Sequence, residues 1–303
     1  MNKEIITDEF LLNELRKRFQ EKEKAIGELE SMTEELKNVN TKLKESEQLK
    51  SHFIANINNE IINPFASVLG LSRSILDVKA NDWEKVKYMA KLIFVEAHNL
   101  DFQLKNIFAA AEIEAGRVYP QISNVNVVQV VRGVVDDFEN DLNSKRLTVD
   151  IINQTGLADK GTFFFKTDAE KFKLIISNLI SNAIKFSKGT TIEVSVSTEE
   201  KDLVVAIKDY GIGISDNNKK LIFDRFTRLD AGINSINRGH GLGLSVVKAF
   251  IDLFEGDIKI ESQLGKGSTF TIVIPEPDGS QHIDGYSSEG NEIFFDDEEM
   301  EVF

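Results

Sequence analysis

The chain has no cysteine, and that absence alone removes disulfide frameworks, thiolate metal sites and thiol nucleophiles. It also lacks any run approaching the roughly 18 unbroken apolar residues that a membrane-spanning helix needs. Its opening residues, Met1–Phe10, hold no apolar core of a secretory signal, so the sequence reads as cytoplasmic. Basic residues are scarce too: 36 Lys and Arg stand against 50 Asp and Glu, a formal charge of −14. Part of this deficit is local, with ten acidic residues and no Lys or Arg between Glu276 and Phe303. Nucleic acid is therefore disfavoured as the main partner, because phosphate backbones are bound through basic patches. What is present, 303 residues of which 41% are hydrophobic, suffices for about two compact domains with extensions.

The organisation changes along the chain. From about residue 10 to 52 the pattern is one long charged helix, with apolar side chains at Leu15, Phe19, Ile26, Leu29, Met32, Leu36, Val39 and Leu43. This 3/4 alternation flanked by Glu and Lys is a coiled-coil seam, and the successive three-residue steps Ile26, Leu29, Met32 resemble a stammer. A lone solvated helix is the alternative. The helix is expected to continue through Phe53–Leu76, turn at VKAND with Asp82 or Asn81 as N-cap, and return from about Trp83 to Ala115, with Gly116 as C-cap. Such a hairpin cannot cover both faces alone, and two of them make a four-helix bundle in a homodimer.

After Val118 the pattern becomes mixed. Helices are expected at about Val127–Asn143, Ala169–Phe186 and Leu242–Phe254. Strands are expected at Leu147–Ile152, FFFKT, Thr191–Ser197, Leu203–Asp209, Asp257–Glu261 and Ser268–Ile274. This order implies an α/β sandwich. The expected domains are a coiled coil at 1–52, a hairpin at 53–118, the sandwich at 119–275 and a disordered acidic tail at 276–303. Phe294, Phe295, Met300, Val302 and Phe303 set large apolar groups inside that tail, which fits docking on a partner or folding back on the chain's own lid.

Four segments carry chemistry. In NLISNAIKF a four-residue step puts Asn178 and Asn182 on one helix face, where neutral amide oxygens could reach a hard cation and its phosphates; Asn at this spacing is also common on a solvated face. In DYGIGI, Asp209 ends a strand and can accept from an exocyclic amine, while Gly211 and Gly213 let the backbone approach a base. Alone, that motif is weak, because turns are rich in Asp and Gly. GHGLGLS enters a helix with Gly239, Gly241 and Gly243, and amides at a helix start form a phosphate site. GKGSTFTI is a turn followed by a strand containing Thr269.

In order and spacing these segments resemble the N, G1, G2 and G3 boxes of sensor histidine kinases, and IFDRF (Ile222–Phe226) matches the F box. The resemblance covers about Val125–Pro275 and implies a Bergerat-type ATP-binding domain under a mobile lid at about Thr227–Arg238. It assigns Asp209 to adenine, Asn178 and Asn182 to magnesium and phosphates, and Lys185, Gly241 and Gly243 to the phosphates. Gly211, Gly213, Gly239 and Thr269 join the expected cofactor site. The same family places a dimerisation and phosphotransfer hairpin before this domain, with a motif like F-x-x-N-x-S-H-E-x-R-T-P-L. Here it reads FIANINNEIINPF. Phe53, Asn56, Glu60 and Pro64 match; Asn59 stands at the acceptor histidine's position, Asn58 at serine's, Ile62 at arginine's and Asn63 at threonine's.

The departure is chemical. Imidazole carries a free nitrogen lone pair near neutral pH, whereas an asparagine amide nitrogen has its lone pair delocalised into the carbonyl. Asn59 should not accept phosphate. His52 precedes it by two helical turns, on a similar face but about 10 Å along the axis. Glu60 and Asn63 keep an acid and an amide on one face, the pair that in this family assists phosphotransfer and response-regulator dephosphorylation; Asn63 can also simply ease a kink before Pro64. The sequence thus implies an ATP–magnesium-binding pseudokinase or regulator of a two-component pathway, partnered by a response regulator, another signalling protein or a cognate histidine kinase. The alternatives are an active kinase for another site or partner, a regulator phosphatase using Glu60 and Asn63, and an ATP-driven clamp of the gyrase or chaperone type. The hairpin directly before the ATP domain argues against the clamp.

Overall fold

The computed structural model describes residues 8–79, 82–154, 162–225 and 241–277, without the side chains of 8–14, 42, 45–46 and 48–60. Asn81, Phe226, the expected lid at 227–238, Gly239, His240 and the tail from 278 lie outside the described residues, as do the side chains of His52, Asn59 and Glu60. By internal contacts the chain divides into two compact units, Met1–Asn56 and Ile57–Phe303.

Helix α1 runs Asp8–Leu76 without interruption and passes through Pro64, although proline withholds one ladder donor. The expected seam and the first hairpin helix are thus one element. In the first unit Leu15, Phe19, Ile26, Leu29, Met32, Leu36, Val39 and Leu43 are all between 47% and 69% exposed. A narrow apolar stripe of this kind is the pattern of a coiled-coil seam.

In the second unit a short connection leads from α1 to α2 (Trp83–Glu114). Asp82 takes the N-cap position without a side-chain capping bond. The C-cap of α2 is Ala115, one residue before the expected Gly116, which follows in the left-handed region at φ +64° and donates its amide to the Ile113 carbonyl at 3.2 Å. Strand β1 (Ser123–Asn126) pairs antiparallel with β3 (Phe164–Thr167). The SNVN segment carries too few apolar residues to announce a strand.

The single helix expected at 127–143 is two, α3 (Val127–Asp137) and α4 (Glu139–Lys145), broken at Phe138. Phe138 is buried, with its ring edge-on to Phe102 of α2 at 5.7 Å and to His98 at 6.4 Å. Packing against α2 thus accompanies the interruption that helix periodicity did not reveal. Strand β2 (Thr148–Asn153) follows, then β3, α5 (Ala169–Phe186), β4 (Thr191–Glu199), β5 (Asp202–Asp209), the short α6 (Asn218–Leu221), α7 (Gly243–Leu253), β6 (Asp257–Gln263) and β7 (Gly267–Ile274). Five strands form one sheet in the order β2-β4-β5-β7-β6, parallel only between β2 and β4.

Alternation along the strands decides the layers. Val194, Val196, Leu203, Val205, Ile207, Ile272 and Ile274 are buried in one core with Phe172, Ile175, Ile176 and Leu179 of α5 and Val247 and Ile251 of α7. Between these residues along the strands come less buried ones such as Glu193, Ser195, Thr269 and Thr271. Helices on one face of a mostly antiparallel sheet make the expected α/β sandwich.

Candidate functional site

Helix α5 is held at both ends. Asp168, 3% exposed, caps it: one carboxylate oxygen accepts from the Lys171 amide at 3.0 Å, and the other from the Gln121 amide at 2.8 Å and Lys171 Nζ at 2.7 Å. The same carboxylate therefore ties the segment entering β1 to the head of α5. At the far end Lys145 Nζ donates to the carbonyls of Ile184 and Lys185 at 2.8 and 3.0 Å, where the helix dipole favours a cation.

Asn178 sits midway along this fixed helix and is buried, which removes the solvated-face reading for it. Its Nδ2 donates to the Leu174 carbonyl at 2.9 Å and to Asn106 Oδ1, on α2, at 2.7 Å. Asn182 lies one turn on and is half-buried; Lys185 Nζ lies 5.2 Å from the centre of the Phe186 ring.

Asp209 ends β5 and is 6% exposed, with one carboxylate oxygen accepting from the Gly211 amide at 2.8 Å. Burial pushes its carboxyl above the ordinary range, while hydrogen bonds from the Gly211 and Ser268 backbones pull the other way. Gly211 lies against the end of α5, where a Cβ would collide with the Phe186 carbonyl oxygen; the Ile212 amide donates to that oxygen at 3.3 Å. Gly213 turns at φ +68°, a conformation side chains rarely adopt. Beyond it Ile214 donates to Ser262 Oγ at 2.7 Å, and Ser262 donates to the Gly267 carbonyl at 2.9 Å. The end of α5, the DYGIGI turn and the β6–β7 hairpin are thereby stitched together.

The fourth piece comes from α7. Gly241 has φ +69°, Leu242 is the N-cap and Gly243 opens the helix. A Cβ on Gly243 would stand 2.5 Å from Asn178 Oδ1, so glycine lets the helix head rest on that amide. The first amides of α7 have no partners within their own helix and present an anion-binding end.

Asn178, Asp209, Gly211, Gly213 and Gly243 are therefore brought into one interlocked framework. Thr269 is not on Asp209's side of the sheet. It pairs with Lys208 and Glu261, whereas Asp209 pairs with Ser268, which is buried on the helix-facing side. Ser268 is the residue that reading the segment without its register passed over; strand alternation with Phe270 could have found it. Asn106 was also missed, and nothing in its sequence context marks it. Ser187, bridged to Gly211, has a buried hydroxyl with no hydrogen-bond partner among the described residues. An unsatisfied hydroxyl on the residue bridged to Gly211, whose amide holds a buried carboxylate, suits a polar ligand.

The family model for histidine kinase-, DNA gyrase B- and HSP90-like ATPases matches residues 167–278. Hybrid signal transduction histidine kinase D of Dictyostelium discoideum is 31% identical over 270 residues, covering 86% of this chain and 17% of the relative. Sensor-like histidine kinase SenX3 of Mycolicibacterium smegmatis is 29% identical over 243 residues, covering 78% of this chain and 61% of the relative. Residues 167–278 belong to this ATPase family, and over most of its length the chain is similar to sensor histidine kinases. Sensor protein SrrB of Staphylococcus aureus, 27% identical over 233 residues, covers 77% of this chain, which spans 39% of that kinase. The chain is thus similar to less than two thirds of each of these histidine kinases. In fold it is similar to full-length ShkA in complex with AMPPNP, with a TM-score of 0.53 and 22% identity over 76% of this chain and 45% of that one. The α/β sandwich is the family's ATP-binding domain, and no helix among the described residues is long and apolar enough to cross a membrane.

Proposed function

We propose that this protein is an ATP–magnesium-binding regulator of a two-component pathway that acts in the cytoplasm as a homodimer and does not phosphorylate itself at the usual position. The nucleotide half of this reading rests on the buried Asp209 carboxylate beside the Gly211 backbone approach, with Gly243 resting on Asn178. Asp209 would accept from the adenine amine, Ser268 and the Gly211 turn would hold that carboxylate, and the head of α7 would receive phosphate. Asn178 and Asn182 would offer amide oxygens to magnesium, with Lys185 near the phosphates. Bound ATP would supply a transferable phosphoryl group. Asn59 offers it no nucleophile, because its nitrogen lone pair is delocalised.

Calorimetry on the full chain tests the nucleotide half. ATP with magnesium should bind the wild type, and Asp209→Asn should weaken binding; a folded wild type that takes up no nucleotide would refute the reading of this domain.

A second reading, dephosphorylation of a response regulator, is favoured by the exposed side chain of Asn63, directly before the buried Pro64. With Glu60 on the same helix face, Asn63 could orient water towards a partner's phosphoryl group. Loss of phosphate from a phosphorylated regulator, faster with wild type than with Asn63→Ala, would support it. Equal rates would dismiss it.

A further inference from the structure

Asn106 belongs to α2, outside the segments that resemble the ATP-binding motifs, yet its side chain reaches the site. It is 5% exposed, donates through Nδ2 to the Phe102 carbonyl of its own helix at 3.0 Å, and accepts from Asn178 Nδ2 at 2.7 Å. Asn178 also donates to the Leu174 carbonyl at 2.9 Å. An amide nitrogen has two hydrogens, and both are now committed. The amide of Asn178 cannot rotate by half a turn without stranding a donor in a buried place. Its oxygen is therefore fixed on the other side, against Gly243 at the head of α7.

This orientation matters because the two ends of an amide are electrically opposite. The oxygen can ligate a hard cation or one of its waters; the NH2 group can only donate, and repels a cation. We propose that Asn106 is a positioning residue for the metal–nucleotide complex, setting the amide of Asn178 so that its oxygen faces the phosphate end of the site. The inference rests on the ATP–magnesium reading above. It also has a structural consequence. Asn106 sits one turn beyond Phe102, whose ring packs edge-on to Phe138, so the orientation of Asn178 depends on α2 being seated on the ATP-binding domain. Seating of the hairpin helix then tunes magnesium-dependent affinity, while the adenine end at Asp209 is untouched.

The test uses the full chain and three proteins: wild type, Asn106→Leu and Asn106→Asp. Leucine fills the space and accepts nothing. Aspartate, charged or protonated, keeps an oxygen that accepts from Asn178. Calorimetry is run with AMPPNP plus magnesium and with AMPPNP in EDTA, and side-chain amide NMR of Asn178 is recorded for each. Asn106→Leu should weaken magnesium–AMPPNP binding by about five- to tenfold, the scale of one net hydrogen bond, and leave EDTA binding within about twofold. Asn106→Asp should stay near wild type, and the protected Asn178 amide protons of wild type should be lost only in Asn106→Leu. Equal weakening in both buffers would make the contact merely structural and overturn the proposal. So would unchanged binding, or tighter magnesium–AMPPNP binding, which would make the contact a restraint. Wild type that binds no AMPPNP in either buffer would instead bring down the nucleotide reading and this inference with it, the NMR still reporting whether the amide is held.

Discussion

Apolar residues are treated in opposite ways by the two ends of this chain. In the ATP-binding domain Val127, Val128, Val131 and Val134 of α3 are completely buried, in the core that α3 shares with α5 and the strands β1 and β2. Along the amino-terminal part of α1, Leu29, Met32 and Leu36 are each 65–69% exposed. Both sets recur at helical spacing, so spacing alone does not separate them. The difference lies in the width of the stripe: a wide one packs within a chain, whereas a seam two residues per heptad wide calls for a second helix. The apolar residues of one region are covered by their own chain, and those of the other are exposed on it.

Mutations should respect that division. The largest effect is expected from Phe172→Ala, which empties a fully buried position in α5 and should cost about 3–5 kcal/mol by chemical denaturation, with association through α1 retained. Replacing Leu36 and Leu43 together with lysine should do the reverse. Each forfeits roughly 1.5–3 kcal/mol of apolar burial between chains, so light scattering should show monomer at concentrations where wild type is dimeric, with the melting of the ATP-binding domain unchanged. A wild type that is already monomeric at micromolar concentration would break the comparison.

Asp209→Asn comes next and separates function from stability within one domain. It removes a charged acceptor, so affinity for ATP should fall by about 10- to 100-fold. The ligand-free protein should melt slightly higher, since an ionised carboxylate is no longer buried there. The smallest effect is its pH dependence. Burial raises the Asp209 carboxyl above its unfolded value, so the folded state takes up the proton first as pH falls. That contribution to stability is complete below the unfolded value, near pH 4, and is lost as pH rises through the raised folded value. The melting advantage of Asp209→Asn should therefore be greatest at neutral pH and vanish near pH 4. An advantage that grew on acidification would have the wrong sign.

The helices and strands were legible wherever periodicity matched the final environment. Helix α5 has the expected ends, Ala169 and Phe186, because Asp168 caps it and its apolar face is continuous. What escaped depends on contacts distant in sequence. Phe138 interrupts a helix where it meets α2, and β1 exists only by pairing with β3. The motifs marked Asn178, Asp209, Gly211 and Gly243 as one site, but its depth was hidden: an asparagine pattern on a helix does not say that the first member is buried and held by Asn106. Thr269 and Ser268 are adjacent in sequence and opposite in facing, a distinction that strand register alone supplies.

The proposed function joins a competent nucleotide site to an acceptor position, Asn59, that holds no nucleophile. Its most direct test incubates the full wild-type chain and Asn59→His with magnesium and γ-labelled ATP, and measures bound nucleotide and acid-labile protein phosphate on the same samples. Wild type should bind ATP and carry no acid-labile phosphate above background, while any such label on the variant should map to residue 59. Robust acid-labile phosphate on the wild-type chain, at His52 or elsewhere on α1, would contradict the account.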